Sequence, residues 1–139
     1  QYGVGYLKVK DIIVCGHYEC GGMRAAESAN DHKDPLETWL RNIRDVYRLH
    51  KDELDAIIDP DARHCRFVEL NVIEQCLNVF KSGIVQQRRK ETYLEGEMLP
   101  RVHAMVFDPK TGYWKRVPFD FTEYSDDFTG IYGLHTLEN

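Results

Sequence analysis

The chain has 139 residues, of which 42% are apolar and 29% charged, and a formal net charge of -5. This is the mix of one soluble globular domain, too short for two ordinary ones. No stretch approaches the roughly 20 apolar residues of a membrane span. No basic run is long enough to track a nucleic acid; the densest, Arg88-Arg89-Lys90, is stopped by Glu91 and reads as a solvated helix end.

In chain order, QYGVGYLKV reads as the end of a helix. It has neither the Met nor the pattern of a signal or transit peptide. It opens inside an apolar periodic segment (Tyr2, Val4, Tyr6, Leu7), so the sequence is expected to begin in mid-domain. Residues 11 to 15, DIIVC, read as a short strand buried on both faces, because consecutive apolar residues fit a covered parallel strand. Gly16 to Gly22 form a turn, and the Ala-rich residues 23 to 28 begin a helix. Asp34-Pro35-Leu36-Glu37 predicts a helix start with Asp34 as N-cap and Glu37 completing a capping box. Trp39, Leu40, Ile43, Val46, Tyr47 and Leu54 then recur at helical spacing until Asp59-Pro60-Asp61.

A second long helix is expected over about 63–82, with Gly83 as its C-terminal stop. A shorter helix follows over 84–93. RVHAMVF, the turn Asp108-Pro109-Lys110-Thr111-Gly112 and a returning strand over 113–117 read as a β-hairpin. The aromatic segment 118–139 lacks periodicity and is expected to be an irregular tail. The fold class is α/β: a mostly parallel sheet flanked by helices, with a C-terminal β-hairpin, incomplete at the N-terminus. An all-apolar parallel strand calls for neighbours on both edges, and three strands make a narrow sheet.

Chemistry concentrates in IIVCGHYECGG, residues 12 to 22. His17 and Cys20 can meet at one metal if the turn between them curls back, and zinc suits imidazole nitrogen with thiolate sulfur. Cys20 falls in the first turn of a helix, where the dipole and free N–H groups favour a thiolate. Gly21 and Gly22 let the backbone approach a bound group, and N–H groups beside a metal suit a small anion. The location at the carboxyl end of a strand is where open α/β sheets place their sites. Alone, H-x-x-C is a weak signal; a capped helix start with an incidental thiol competes with it. Cys15, two residues before His17, points into the strand's packing and is not expected to be a ligand.

The block YLKVKDIIVCGHYECGGM resembles the second zinc motif of the β-class carbonic anhydrases, C-G-H-x-x-C-G-[GA] after a buried strand. WLRNIRDVYRLH (39–50), ELNVIEQ (69–75) and VHAMVFDPKTG (102–112) continue the resemblance, in order, to about residue 118. The resemblance implies an enzyme that interconverts carbon dioxide and bicarbonate. It implies one zinc held by two Cys and one His, with water or a carboxylate in the fourth place. His17 and Cys20 match the family's His and second Cys; Tyr2 matches a tyrosine close to the active site, with Gly21 and Gly22 near the substrate. A homodimer or higher homo-oligomer is implied, with no nucleic-acid partner.

The family's first motif, C-x-D-[SA]-R, does not occur in the chain. The first zinc Cys and the catalytic Asp and Arg are therefore expected outside it, and the 139 residues are read as a single partial domain. The alternative is a non-catalytic truncated paralogue or assembly subunit that keeps the dimer surface; a weaker third reading is a thiol site using Cys15 and Cys20. The four cysteines, Cys15, Cys20, Cys65 and Cys76, lack the spacing of a secreted disulfide framework. Free thiols and an intracellular setting, cytoplasm or organelle matrix, are expected.

Among the remaining polar residues, His103 is read as a core or edge histidine with a satisfied ring nitrogen rather than a ligand. His32, His50, His64 and His135 are read as solvent-facing. Asp45 is expected to pair on a helix surface with Arg41 or Arg48, with Arg44 on that surface too. Glu69, Asn71 and Glu74 are read as cross-links between elements, and Trp39 and Trp114 as core or interface packing.

Overall fold

The computed structural model describes residues 1–121 together with 124, 128, 131 and 132. The chain forms two compact units: Gln1–Val14 with Gln75–Ala104 and Pro118–Asn139, and Cys15–Glu74 with Met105–Val117. One sheet has the strand order β1 (Asp11–His17), β2 (Arg101–Phe107), β3 (Trp114–Arg116). Arg101 N–H donates to Lys10 O and Tyr18 N–H to Phe107 O, so β1 and β2 run parallel. β3 returns antiparallel, with Met105 opposite Arg116 and Phe107 opposite Trp114. Asp108 accepts from the N–H of Lys110 and from the Thr111 hydroxyl, and Gly112 takes φ +76, which closes the expected hairpin turn. The α/β class therefore holds, with a small mixed sheet.

In the first unit a short π-helix, Tyr2–Tyr6, buries Val4 and packs with α5 (Gly83–Tyr93). Gly83 opens this helix rather than ending the one before it. Ser82 is extended (φ -67, ψ 137) and its hydroxyl donates to Val79 O, so the break falls one residue earlier than the glycine signal predicts. Arg89 donates to Met98 O and Pro100 O, and Thr92 exchanges hydrogen bonds with the main chain of Leu99. Arg89 is thus a partly buried tie between α5 and the segment entering β2, and Arg88, also partly buried, pairs with Glu91 within the helix, so the pair is not a solvated helix end. Of the predicted tail, residues 118–120 carry no regular structure, and most of the rest lies outside the described residues.

The second unit holds α1 (Gly21–Glu27), α2 (Leu36–Leu49), α3 (Lys51–Ala56) and the N-terminal part of α4 (Pro60–Phe80). Leu40, Ile43, Val46, Leu54, Phe67 and Val68 are buried at their helical spacing. The helix expected to run unbroken to Leu54 splits at His50. The capping box at its start does not form: Asp34 accepts from the Thr38 hydroxyl, and Glu37 turns inward to Arg44. Strand β1 also departs from expectation. Asp11, Ile13, Cys15 and His17 are exposed and alternate with half-buried residues. A four-residue apolar run cannot by itself distinguish a strand covered on both faces from one covered on one.

Candidate metal centre

Gly16 sets how β1 meets α4. A Cβ on Gly16 would sit 2.6 Å from Val72 Cγ2 and 3.5 Å from Val68 Cγ1. The strand's backbone therefore lies directly on the valine face of α4, which fixes the height at which His17 ends the strand. Tyr18 and Glu19 turn the chain, and Glu19 takes φ +57, a left-handed conformation that costs a non-glycine residue energy. Side-chain ties hold that turn: Lys110 donates to Glu19 at 2.9 Å and the Tyr18 hydroxyl donates to Glu69 at 2.6 Å. Cys20 follows in an extended conformation as the N-cap residue of α1, and its carbonyl accepts the Arg24 N–H at 3.0 Å. The His–turn–Cys order read from the sequence is the one observed.

The hydrogen bond of His17 defines its free nitrogen. Nδ1 lies 2.9 Å from Tyr18 O. A carbonyl oxygen only accepts, so in the neutral ring Nδ1 carries the proton and Nε2 has the lone pair. That is the tautomer a metal ligand needs, fixed by the bond the other nitrogen makes. Among the described residues, no group of three His, Cys, Asp or Glu side chains could hold a metal ion. Cys15 is exposed rather than packed, with its thiol donating to Gly16 O at 3.2 Å, and burial of part of its surface raises its pKa. Tyr2 lies in the other unit, exposed and stacked on Tyr6 with ring centroids 5.7 Å apart.

Around the turn is a network that sequence reasoning gave only as a cross-link at Glu69. Glu69 accepts from Tyr18, Lys115 (2.6 Å) and Arg66 (3.3 Å). Burial works to raise the Glu69 pKa, but the hydrogen bonds from Lys115 and Tyr18 and the Lys115 charge outweigh it and hold the carboxyl below its usual value. Burial, reinforced by the adjacent Glu69 carboxylate, pushes the Tyr18 phenol up to about 12. These groups line a cavity of about 400 Å³ together with Cys65 and Lys110. Nothing in the spacing of residues 18, 69 and 115 announces that they meet.

Histidine placements divide. His103 has the satisfied ring nitrogen expected, its Nε2 2.8 Å from Asp11, and lies half-buried on the central strand β2. His50 is mostly buried against Glu74, and His32 meets the Ser28 hydroxyl. His64 is fully buried, paired with Glu27 at 2.9 Å, and its Nε2 has no partner among the described residues, which corrects the solvent-facing expectation. His135 lies outside the described residues. On α2, Arg48 pairs with Asp45 as expected, while Arg44 leaves the surface for Glu37 and the carbonyls of Ala26, Ser28 and Asn30. Trp39 and Trp114 are more than half exposed.

A family profile described as carbonic anhydrase matches residues 1–114. A carbonic anhydrase of Emericella nidulans is 51% identical over 134 residues, covering 96% of this chain and 56% of the relative. A tetrameric β-carbonic anhydrase of Sordaria macrospora superposes with a TM-score of 0.73 at 34% identity, covering 85% of this chain and 57% of that one. The β-carbonic anhydrase CafA of Aspergillus fumigatus superposes with a TM-score of 0.76 at 25% identity, covering 94% and 60%. The chain thus spans a little over half the length of these relatives. With the motif block, the mixed sheet and the matched sequence in agreement, the chain belongs to the carbonic anhydrase family, in its β class.

Proposed function

We propose that this chain carries the His–Cys half of a zinc site that serves the reversible hydration of carbon dioxide to bicarbonate and a proton. The observation that carries the proposal is the committed Nδ1 of His17, which leaves Nε2 as a ligand three residues before the Cys20 thiol. The donor chemistry fits zinc as far as it goes, with one imidazole and one thiolate. It supplies two donors where such a centre needs three from protein. We read the 139 residues as a partial domain whose donor set, and whose catalytic Asp and Arg, are completed by residues outside it.

When bound, zinc supplies a Lewis acid that brings the pKa of a coordinated water to about 7. The chain's own residues orient and shape. Tyr18 O holds the His17 ring, the Glu69 network holds the turn, and Gly21 keeps the backbone beside Cys20 open for a small anion such as bicarbonate. Tyr2 is proposed to lie near the substrate in the complete enzyme. A homodimer or larger homo-oligomer is proposed, in keeping with the tetrameric Sordaria relative. No helix among the described residues is long and apolar enough to cross a membrane.

A second reading, a non-catalytic subunit that keeps the fold without the chemistry, draws on the shortage of donors among the described residues. Zinc content and stopped-flow hydration of carbon dioxide separate the two, measured on the 139-residue chain and on a chain extended upstream through C-x-D-x-R. One zinc and activity in the extended chain, both lost in His17→Ala and Cys20→Ala, are expected. Stoichiometric zinc retained in extended Cys20→Ala would overturn the ligand assignment.

A further inference from the structure

Helix α1 is too short to hold itself. It has seven residues and no side-chain hydrogen bond at its N-cap, and isolated helices of that length are not stable in water. The direction of Cys20 must therefore come from what α1 packs against. Its C-terminal half is held by polar ties: Arg24 to Asp61, Glu27 to His64, and Arg44 of α2 to the carbonyls of Ala26 and Ser28. At the Cys20 end the contact is of another kind. The point that a Gly22 Cβ would occupy is 3.0 Å from both Cη2 and Cζ3 of the Trp39 indole and 3.8 Å from Cys20 Sγ. The ring edge thus rests on the bare Cα of Gly22, with the sulfur beside it, and α2 grips α1 at both ends through Trp39 and Arg44.

We propose that Trp39 is a positioning residue for the Cys20 sulfur, its indole seated on Gly22 to fix the first turn of α1. The proposal rests on the reading of His17 and Cys20 as metal ligands and gives Gly22 a second task. A methyl there would meet the indole at 3.0 Å, so the ring would have to shift by a few tenths of an ångström to admit it.

The test compares Trp39→Ala, Trp39→Phe and Gly22→Ala with the unaltered protein, each extended upstream through C-x-D-x-R, in two assays. The first is cobalt(II) titration, read by the thiolate-to-cobalt charge-transfer absorption. The second is alkylation of the metal-free protein by iodoacetamide, read by peptide mass at Cys20 with exposed Cys15 as internal control. Trp39→Ala and Gly22→Ala are expected to weaken cobalt binding about tenfold, the scale on which groups that orient ligands act, and to shift the band. Trp39→Phe, which keeps a flat ring, recovers most of the loss. Cys20 alkylation speeds several-fold in Trp39→Ala while Cys15 is unchanged. Unaltered band, affinity and Cys20 rate in both Trp39→Ala and Gly22→Ala would overturn the proposal. If Trp39→Ala does not fold, Gly22→Ala and Trp39→Phe decide it by the same readings. If the unaltered protein shows no thiolate–cobalt absorption, the metal reading fails, and the alkylation rates alone decide whether Trp39 positions Cys20.

Discussion

Gly16 is the residue on which the placement of His17 depends most directly. The site of its absent Cβ is 2.6 Å from Val72 Cγ2, closer than real side-chain contacts allow. Val72 is itself 2% exposed and β-branched, so it has neither room nor rotamer freedom to yield. Gly16→Ala is expected to destabilise the protein by about 1–3 kcal/mol, the usual cost of overpacking, read as a lower urea midpoint at unchanged slope. Gly21 is the control, because nothing among the described residues lies within 4 Å of where its Cβ would be; Gly21→Ala is expected to leave the midpoint nearly unchanged. Equal midpoints for the two variants would mean that β1 does not approach α4 as described. The sequence presents Gly16, Gly21 and Gly22 as one turn-forming set, yet the three do different things. Gly16 makes room for a helix, Gly22 for a ring, and Gly21 faces open space. Composition carries the glycine; the reason for it comes from the surface it meets.

Helices α1 and α2 show the same division one level up. Periodicity places the buried face of α2 correctly at Leu40, Ile43 and Val46, because a helix buries whatever recurs at its own repeat. It cannot say which arginine leaves the surface. Arg41, Arg44 and Arg48 look alike in sequence. Arg48 pairs with exposed Asp45, whereas Arg44 reaches three carbonyls and the buried Glu37. Arg44→Met is expected to cost about 3–5 kcal/mol, because it leaves a buried carboxylate without its main partner and removes charge-assisted bonds to the end of α1. Arg48→Met is expected to change stability by less than about 1 kcal/mol, as exposed pairs do. Urea denaturation of both variants checks this, and a similar loss in the two would show that Arg44 is no clamp. Likewise the Asp34–Glu37 capping signal fails because Glu37 has a stronger offer from Arg44, and a local motif yields to a charge it cannot foresee.

At the scale of the whole molecule, the order of elements and the local His–turn–Cys unit were legible in the sequence, since both depend on short-range pattern. The one-sided exposure of β1, the burial of His64 and the cluster around Glu69 were not, since each joins residues far apart in the chain: His64 to Glu27, and Glu69 to Tyr18 and Lys115. That cluster gives unfolding a defined dependence on pH. Tyr18 is raised from 10.0 to about 12, first by burial and then by Glu69. A raised folded-state pKa contributes stability that is fully present below pH 10 and is lost as pH climbs to about 12. Lys115, raised above 10.5 by its hydrogen bond to Glu69, loses its contribution in the same direction. Glu69 behaves oppositely. Burial pulls it upward, Lys115 and Tyr18 pull it down further, and its contribution is present above 4.5 and is lost as pH falls through the lower folded value. The urea midpoint is therefore expected to hold through neutral pH and to fall on both sides. Tyr18→Phe keeps the ring and removes the titrating hydroxyl. Between pH 10 and 12 its midpoint is expected to fall less steeply than that of the unaltered protein, with the residual slope left to Lys115 and the other basic groups. On the acid side it loses one donor to Glu69, so the folded-state pKa of the carboxyl moves back toward 4.5, less stability depends on its ionisation, and the midpoint is expected to fall less below pH 4.5 than that of the unaltered protein. Parallel curves for the two proteins from pH 10 to 12 would show that the Tyr18 phenol ionises no harder folded than unfolded, and would detach the turn that presents His17 and Cys20 from the carboxylate said to hold it.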